Sequence, residues 1–147
     1  MQDYKLLTIG YEGRDIEEFV SRLKRHRVDR LIDIREIPAS RKKGFSKNAL
    51  KDRLEGEGME YVHIRELGSP RKIRNKLRED WNYDYFFRKF DEYLAGNSHL
   101  IEQVYTFLST GVNCLMCFER EPNKCHRQSV AREIKVRDGN GLLIQHI

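Results

Sequence analysis

Short apolar runs alternate with segments of helical periodicity along the whole chain, and this alternation constrains the fold more than any other feature. Because the runs are nearly continuous in apolar residues and are separated by helical segments, they predict parallel strands buried on both faces. The predicted strands are residues 5–9, 31–34, 59–64, 112–118 and 142–147. We therefore expect a three-layer α/β fold, a mostly parallel five-stranded sheet with helices on both faces, formed by residues 1–147 as a single domain.

The segments between the runs repeat apolar residues at the spacing of amphipathic helices. This spacing is present in residues 16–23, 49–54, 83–94, 101–108 and 129–134. Ser46 and Ser98 are the predicted N-caps of the second and fourth of these helices. The aromatic stripe from Tyr83 to Phe90 favours core packing over base stacking, since aromatic residues at helical spacing are usually buried. Residues 138–141 predict a turn.

Basic charge is concentrated in two parts of the chain. The net charge is +5, but residues 35–53 and residues 65–78 each carry +5, so the remainder carries −5. Clustered basic residues attract phosphates, although a charge-rich surface that faces only water has the same pattern. The arginines and lysines of residues 71–78 stand mostly among polar neighbours, which favours a mobile or substrate-facing element over core.

Length and cysteine content exclude several classes of protein. No apolar run approaches the roughly 20 residues of a membrane helix, so we expect no membrane partner. The three cysteines are an odd number, which argues against a secreted disulfide framework and favours a reducing cytoplasm. Cys114 and Cys117 form a C-x-x-C pattern, but residues three apart in a strand point to opposite faces. This argues against a thioredoxin-like motif, which needs a helix start.

Polar residues stand at the ends of four predicted strands, namely Tyr11, Asp33, Arg35, His63 and Glu119. Right-handed crossovers bring those ends to one edge of the sheet, where ligands of open α/β folds bind. Asp33 and Glu119 are candidate catalytic residues, as general bases or as carboxylates that hold arginines. Asp33 also fits a buried structural ion pair, and His63 also fits a structural histidine.

Cys125, His126 and Arg127 open the last predicted helix. A helix start carries unpaired N–H groups and partial positive charge, so it favours an anion or a thiolate. Cys125 is therefore a candidate catalytic nucleophile, or else a small residue that packs the helix start. A cysteine phosphatase would have an arginine six positions after the cysteine, where this chain has Ala131.

Arginines supply forked hydrogen-bond donors that suit a phosphate group. The predicted substrate-binding residues are Tyr11, Arg35, Arg41, His63, Arg71, His126 and Arg127. A metal site is also conceivable, but its spacing matches no recognised ligand pattern, so we assign no metal. Its ligands would be Cys117, Cys125, His126 and His63.

Several blocks of residues resemble one protein family in the same order along the chain. They are Thr8–Tyr11, Asp33–Arg35 with Pro38 and Ser40-Arg41, Phe45-Ser46, Gly58–His63 with Glu66–Gly68, Leu115–Glu119 with Pro122, Cys125–Arg127, and His146-Ile147. In these blocks the chain is similar to the family catalogued as domain of unknown function 488, except that Tyr11-Glu12 replaces the usual His-Ser. The resemblance implies a prokaryotic, cytoplasmic protein and names no substrate. It supports a site at Asp33, Arg35, Arg41, Cys117, Glu119 and residues 125–127.

Three functions fit these residues. The first is an enzyme that acts on a phosphate-bearing substrate, a nucleotide or nucleic acid, at the C-terminal edge of the sheet. The second is a non-catalytic nucleic-acid-binding module that uses the two basic segments. The third is a thiol- or metal-dependent enzyme that uses Cys125. The sequence specifies neither a cofactor nor an oligomeric state.

Overall fold

A computed structural model describes residues 4–139 and 141–147, so Asn140 of the predicted turn lies outside the described residues. Five strands form one sheet in the order β3-β2-β4-β1-β5, and every neighbouring pair is parallel. The strands are β1 (Lys5–Gly10), β2 (Arg30–Asp33), β3 (Glu60–His63), β4 (Asn113–Cys117) and β5 (Leu143–His146). The predicted α/β class is confirmed.

Helices cover both faces of this sheet. They are α1 (Ile16–Arg25), α2 (Lys47–Gly56), α3 (Arg71–Asp80), α4 (Tyr83–Ala95), α5 (Ser98–Phe107) and α6 (Arg127–Asp138). Apolar residues of α1 and α2 pack on one face, and those of α4, α5 and α6 pack on the other. Cys114 belongs to the first of these cores and Cys117 to the second, which confirms that the C-x-x-C residues point to opposite faces. Within the described ranges, no helix is long and apolar enough to span a bilayer.

The strand order places a crevice at one edge of the sheet. The connections from β1 to β2 and from β2 to β3 move toward the β3 edge, whereas those from β3 to β4 and from β4 to β5 move toward the β5 edge. Chain leaving β1 and β2 therefore passes to one face, and chain leaving β4 passes to the other face. A ligand crevice opens at such a reversal, beyond the C-terminal ends of the strands.

Local details depart from the sequence predictions in three places. The basic segment at residues 71–78 is the helix α3, which has no fully buried residue and whose only apolar residues, Ile73 and Leu77, are half-buried one helical turn apart. Asn97 rather than Ser98 stands at the N-cap of α5. Ser46 occupies the N-cap of α2 as predicted, but its hydroxyl bonds the backbone of Ser40 in the preceding loop instead of the helix.

The end of β1 lies directly against the loop that follows β4. The backbone N–H groups of Tyr11 and Glu12 donate to the carbonyls of Cys117 and Phe118, at 3.2 and 2.8 Å. A Cβ atom built on Gly10 would lie 1.8 Å from the Glu119 carbonyl oxygen. Only glycine permits this approach of two backbones, which fixes where the loop after β4 begins.

Replacing Gly10 by alanine tests this constraint. We expect Gly10→Ala to lower the free energy of unfolding by about 1–3 kcal/mol or more, because the new methyl group must displace the loop backbone. Urea denaturation followed by circular dichroism measures the change. Gly56→Ala is the matched control, since a Cβ there meets no atom within 4 Å, and it should be neutral or slightly stabilising. Equal stabilities of the two variants would contradict the proposed close approach.

Candidate functional site

A cleft of about 770 Å³ lies at the C-terminal edge of the sheet, where the strand order reverses. Its floor comes from residues that follow β1, β2 and β4, and its opposite wall comes from α3 and the start of α4. The lining includes Tyr11, Glu12, Arg35, Glu36, Cys117, Phe118, Glu119, Arg120, Lys124 and His126 on the sheet side, and Arg74, Leu77, Arg78, Trp81, Tyr83 and Phe86 on the helical side. Of the predicted site residues, the cleft thus brings together Tyr11, Arg35, Glu119 and His126.

Asp33, at the end of β2, lies behind Arg35 and is fully buried. Its carboxylate accepts hydrogen bonds from Arg35 Nε at 2.9 Å, Arg35 Nη2 at 2.7 Å and the Tyr61 hydroxyl at 2.5 Å. Burial, and then the charge of Asp33, raise the pKa of Tyr61 above its ordinary value. Burial alone would lower the pKa of Arg35, but the hydrogen bonds and charge of Asp33 outweigh burial and raise it.

This arrangement matches the buried structural ion pair, which was one of the two roles predicted for Asp33. Three of its four hydrogen bonds come from the side chains of Arg35 and Tyr61, the fourth comes from the Arg35 backbone N–H at 3.1 Å, and none of its surface is exposed. Arg35 in turn lies over the Tyr11 ring, with its Cζ 5.3 Å from the ring centroid. Asp33 and Tyr11 therefore fix the direction in which Arg35 faces the cleft.

Cys117, Cys125 and His126 form a buried cluster at the cleft floor. The two cysteines are joined in a disulfide, and their Cα atoms are 7.4 Å apart. His126 Nε2 donates to the Ile34 carbonyl at 2.8 Å, and His126 Nδ1 lies 3.8 Å from Cys125 Sγ. Burial lowers the pKa of His126 to about 4, so its ring is neutral near pH 7. Cys125 is 1% exposed and lies outside the cleft lining, which fits its alternative as a small residue that packs the helix start, and its role as nucleophile stays a prediction.

Arg127 does not face the cleft, in contrast to the predicted role in substrate binding. Its side chain is 1% exposed and donates to Thr8 Oγ1 at 3.2 Å, to the Arg120 carbonyl at 2.9 Å and to the Glu119 carbonyl. It also donates to Cys117 Sγ at 3.2 Å. Because its donors are directed at protein atoms, the guanidinium holds the loop after β4 rather than a phosphate.

Glu119 projects from that loop into the cleft as a half-buried carboxylate. Its Oε2 atom lies 3.6 Å from Cys117 Sγ. Burial raises the pKa of Glu119 above its ordinary value, which moves the carboxyl group toward the range in which it exchanges protons near neutral pH.

Three further predicted residues lie away from the cleft lining. Arg41 and Arg71 are exposed side chains on the loop after β2 and at the start of α3. His63 bonds the Arg35 carbonyl through Nε2 at 2.7 Å, which fits its structural alternative.

The sequence predicted a mobile or substrate-facing element over residues 71–78, but its list of site residues omitted those that α3 contributes to the cleft. Arg74 and Arg78 face the cleft, and Trp81 at its rim is 62% exposed. Trp81 caps α3 with a left-handed backbone, φ 52°, which is uncommon for a large side chain. The one clue in the sequence is that the only tryptophan of the chain closely follows the second basic segment.

Removing the Asp33 carboxylate tests its role in holding Arg35. We expect Asp33→Ala to lower the free energy of unfolding by about 3–5 kcal/mol, because it leaves a buried guanidinium without its partner. Thermal and urea denaturation measure the loss. The exposed Asp52 provides the control Asp52→Ala, which should change stability by no more than about 0.5 kcal/mol. A similar small effect at both positions would refute the assigned role.

Comparison with known proteins places the chain in a family. No curated protein and no solved structure matches it. The family model described as domain of unknown function DUF488 matches residues 15–134, a range that contains α1, the whole of β2 to β4 and most of α6. Since this match covers most of the chain and agrees with the blocks recognised in the sequence, the protein belongs to the DUF488 family.

Proposed function

We propose that the protein is a cytoplasmic enzyme that acts on a phosphate-bearing substrate, a nucleotide or nucleic acid, bound in the cleft. The observation that carries this proposal is the combination of side chains around one half-buried carboxylate. Glu119 has its pKa raised by burial, and it shares the cleft with basic groups and with an exposed indole. The basic groups would bind the phosphate, the indole would stack on the base, and Glu119 would transfer a proton.

Basic side chains of the cleft are suited to phosphate. Arg78 and Arg120 are exposed at the lining, and neither forms an ion pair among the described residues. Arg35 has one guanidinium edge on Asp33, and its Nη1 donates to the Tyr11 hydroxyl at 3.4 Å. Guanidinium groups bind phosphate through two parallel hydrogen bonds, so these arginines would orient the substrate as well as attract it.

Aromatic side chains of the cleft are suited to a base. Trp81 and Phe118 are 62% and 44% exposed, so they contribute little to the apolar cores. Stacking of a base on an aromatic ring contributes about 1–3 kcal/mol and needs no particular sequence. The combination of exposed rings and arginines therefore favours a nucleotide, or an unpaired end of a nucleic acid, over inorganic phosphate.

Glu119 is the residue that we assign to the chemical step. A carboxyl group with a raised pKa can take a proton from an attacking water or hydroxyl, or give one to a leaving group. Arg127, which donates to the Glu119 carbonyl, positions the loop that carries this carboxyl group. Asp33 acts one step further away, through Arg35.

Fluorescence of Trp81 reports directly on occupancy of the cleft, because it is the only tryptophan of the chain. We expect nucleoside monophosphates and short single-stranded oligonucleotides to quench it. Arg78→Ala should weaken oligonucleotide binding and reduce the slope of log K against log salt concentration by about 0.7, the value for one lost phosphate contact with a single strand. Arg71→Ala removes the same charge from the same helix outside the cleft and should leave the slope unchanged.

The outcomes separate the candidate functions. Equal effects of Arg71→Ala and Arg78→Ala would show that charge in general, and not the cleft, binds nucleic acid. For an enzyme, Glu119→Gln should preserve quenching while turnover of the bound nucleotide falls by about 100-fold or more. Binding without turnover in the unmodified protein would instead favour the non-catalytic nucleic-acid-binding module, which has exposed basic residues such as Arg41 and Lys43 available beyond the cleft.

A further inference from the structure

We propose that Cys117, Cys125 and His126 bind a divalent metal ion of the zinc class when the two cysteines are reduced. This inference deepens the proposed function, because the ion would lie beside Glu119 in the same cleft. The site has three ligands from two rigid places in the fold, the end of β4 and the start of α6.

The donor atoms already lie close together. Cys117 Sγ, Cys125 Sγ and a ring nitrogen of His126 are all within 4.8 Å of one another. In a tetrahedral zinc site the corresponding atoms are about 3.5–3.8 Å apart, given Zn–S and Zn–N bonds of about 2.3 and 2.0–2.1 Å. The Cα atoms of the two cysteines are 7.4 Å apart, wider than the range of about 4.4–6.8 Å usual for disulfides. This width leaves room for the sulfurs to separate around an ion.

The imidazole of His126 is fixed in the form that a metal requires. A carbonyl oxygen only accepts hydrogen bonds, so the contact from Nε2 to the Ile34 carbonyl places the ring proton on Nε2. Nδ1 then keeps its lone pair on the side of Cys125 Sγ, 3.8 Å away. Phe90 packs edge-on against the ring at 5.3 Å between centroids and limits its rotation. Metal-binding histidines are commonly oriented by such a bond from the second ring nitrogen to a backbone carbonyl.

Arg127 supplies donors to both sulfur atoms. Its Nη1 group donates to Cys117 Sγ at 3.2 Å, and its backbone N–H donates to Cys125 Sγ at 3.4 Å. A guanidinium and an amide in these places favour the thiolate form, which is the form that binds metal. Two thiolates and a neutral imidazole would balance the charge of a divalent ion. Thiolate and imidazole ligands select zinc or cobalt over magnesium and calcium, which prefer oxygen.

A fourth coordination position would face the cleft. Cys117 and His126 line the cleft, and Glu119 Oε2 lies 3.6 Å from Cys117 Sγ. Three protein ligands with an open fourth position characterise catalytic zinc, whereas structural zinc sites have four protein ligands. Water or a phosphate oxygen of the substrate would occupy that position, with the Glu119 carboxyl group beside it to accept a proton.

Formation of the site requires a reductant. A dithiol supplies two electrons and two protons to the Cys117–Cys125 disulfide and is itself oxidised to a disulfide. Each cysteine thiol then releases its proton as the ion binds, so metal binding is accompanied by proton release.

Cobalt binding tests the proposal without reference to any substrate. The full chain is reduced with a dithiol, stripped of metal with a chelator, desalted without oxygen and titrated with Co²⁺. We expect one Co²⁺ per chain, with the charge-transfer absorption of thiolate ligands in tetrahedral coordination and displacement by Zn²⁺. Replacing a ligand should weaken Co²⁺ binding by more than about 10–100-fold, the loss typical of replacing a residue that only hydrogen-bonds to a ligand. We expect this for Cys117→Ser, Cys125→Ser and His126→Gln.

Two controls isolate the three ligands. Cys114→Ala removes the cysteine of the opposite core. This variant should bind Co²⁺ like the unmodified chain, and so should His99→Gln, which removes an exposed histidine of α5 to which no binding role is assigned. His63→Gln removes a histidine that also bonds a backbone carbonyl. It tests whether that histidine contributes a further ligand, and unchanged Co²⁺ binding is expected from its place outside the cluster. Absence of thiolate-to-cobalt absorption in the reduced, unmodified chain would overturn the proposal even if the ligand variants fail to fold. Quenching of Trp81 by nucleotides is measured separately, so loss of the metal site and loss of the proposed substrate are distinguishable.

Discussion

The guanidinium of Arg127 is the interaction on which the cleft depends. Its side chain is 1% exposed. From the start of α6 it donates hydrogen bonds to Thr8 of β1, to Cys117 of β4 and to the carbonyls of Glu119 and Arg120. Burial lowers its pKa to about 10, yet it remains charged near pH 7. A buried charge is tolerated only when its donors are satisfied, so the loop after β4 has little freedom to move away. The hydrogen bonds of Arg127 therefore hold Glu119 and the cysteine pair in place.

Much of the fold could be predicted because local patterns agree with the tertiary structure. The period of two in β4 correctly separated Cys114 from Cys117, and the apolar stripes of α1, α4, α5 and α6 match their buried faces. The helix α3 was missed because it buries no residue fully and has one apolar pair, Ile73 and Leu77, among charged neighbours, which is too short a pattern to indicate a helix. The burial of Arg127 was also missed, because an arginine at a helix start has the same sequence pattern whether it binds an anion or the backbone of a distant loop.

In the candidate site, too, residues at strand ends could be predicted from the sequence, whereas contacts between distant segments could not. Sequence placed Tyr11, Arg35, Glu119 and His126 near one edge because strand ends of a parallel sheet must meet there, and all four line the cleft. It could not decide between catalysis and ion pairing for Asp33, since that depends on Arg35 and Tyr61 being within bonding distance. It predicted a mobile or substrate-facing element over residues 71–78 but could not place Arg78 or Trp81 opposite the strand ends, because the wall formed by α3 is set by packing rather than by any strand end.

Both proposals require the strand ends, the cysteine–histidine cluster and α3 to form one binding site. A crystal structure of the reduced protein with Zn²⁺ and a nucleoside monophosphate tests this requirement most directly. We expect an anomalous zinc peak between Cys117, Cys125 and His126. The base should lie against Trp81, and the phosphate should lie within hydrogen-bonding distance of cleft arginines such as Arg78. Zinc and nucleotide bound only outside the cleft, in crystals where the cleft is open to solvent, would contradict this requirement.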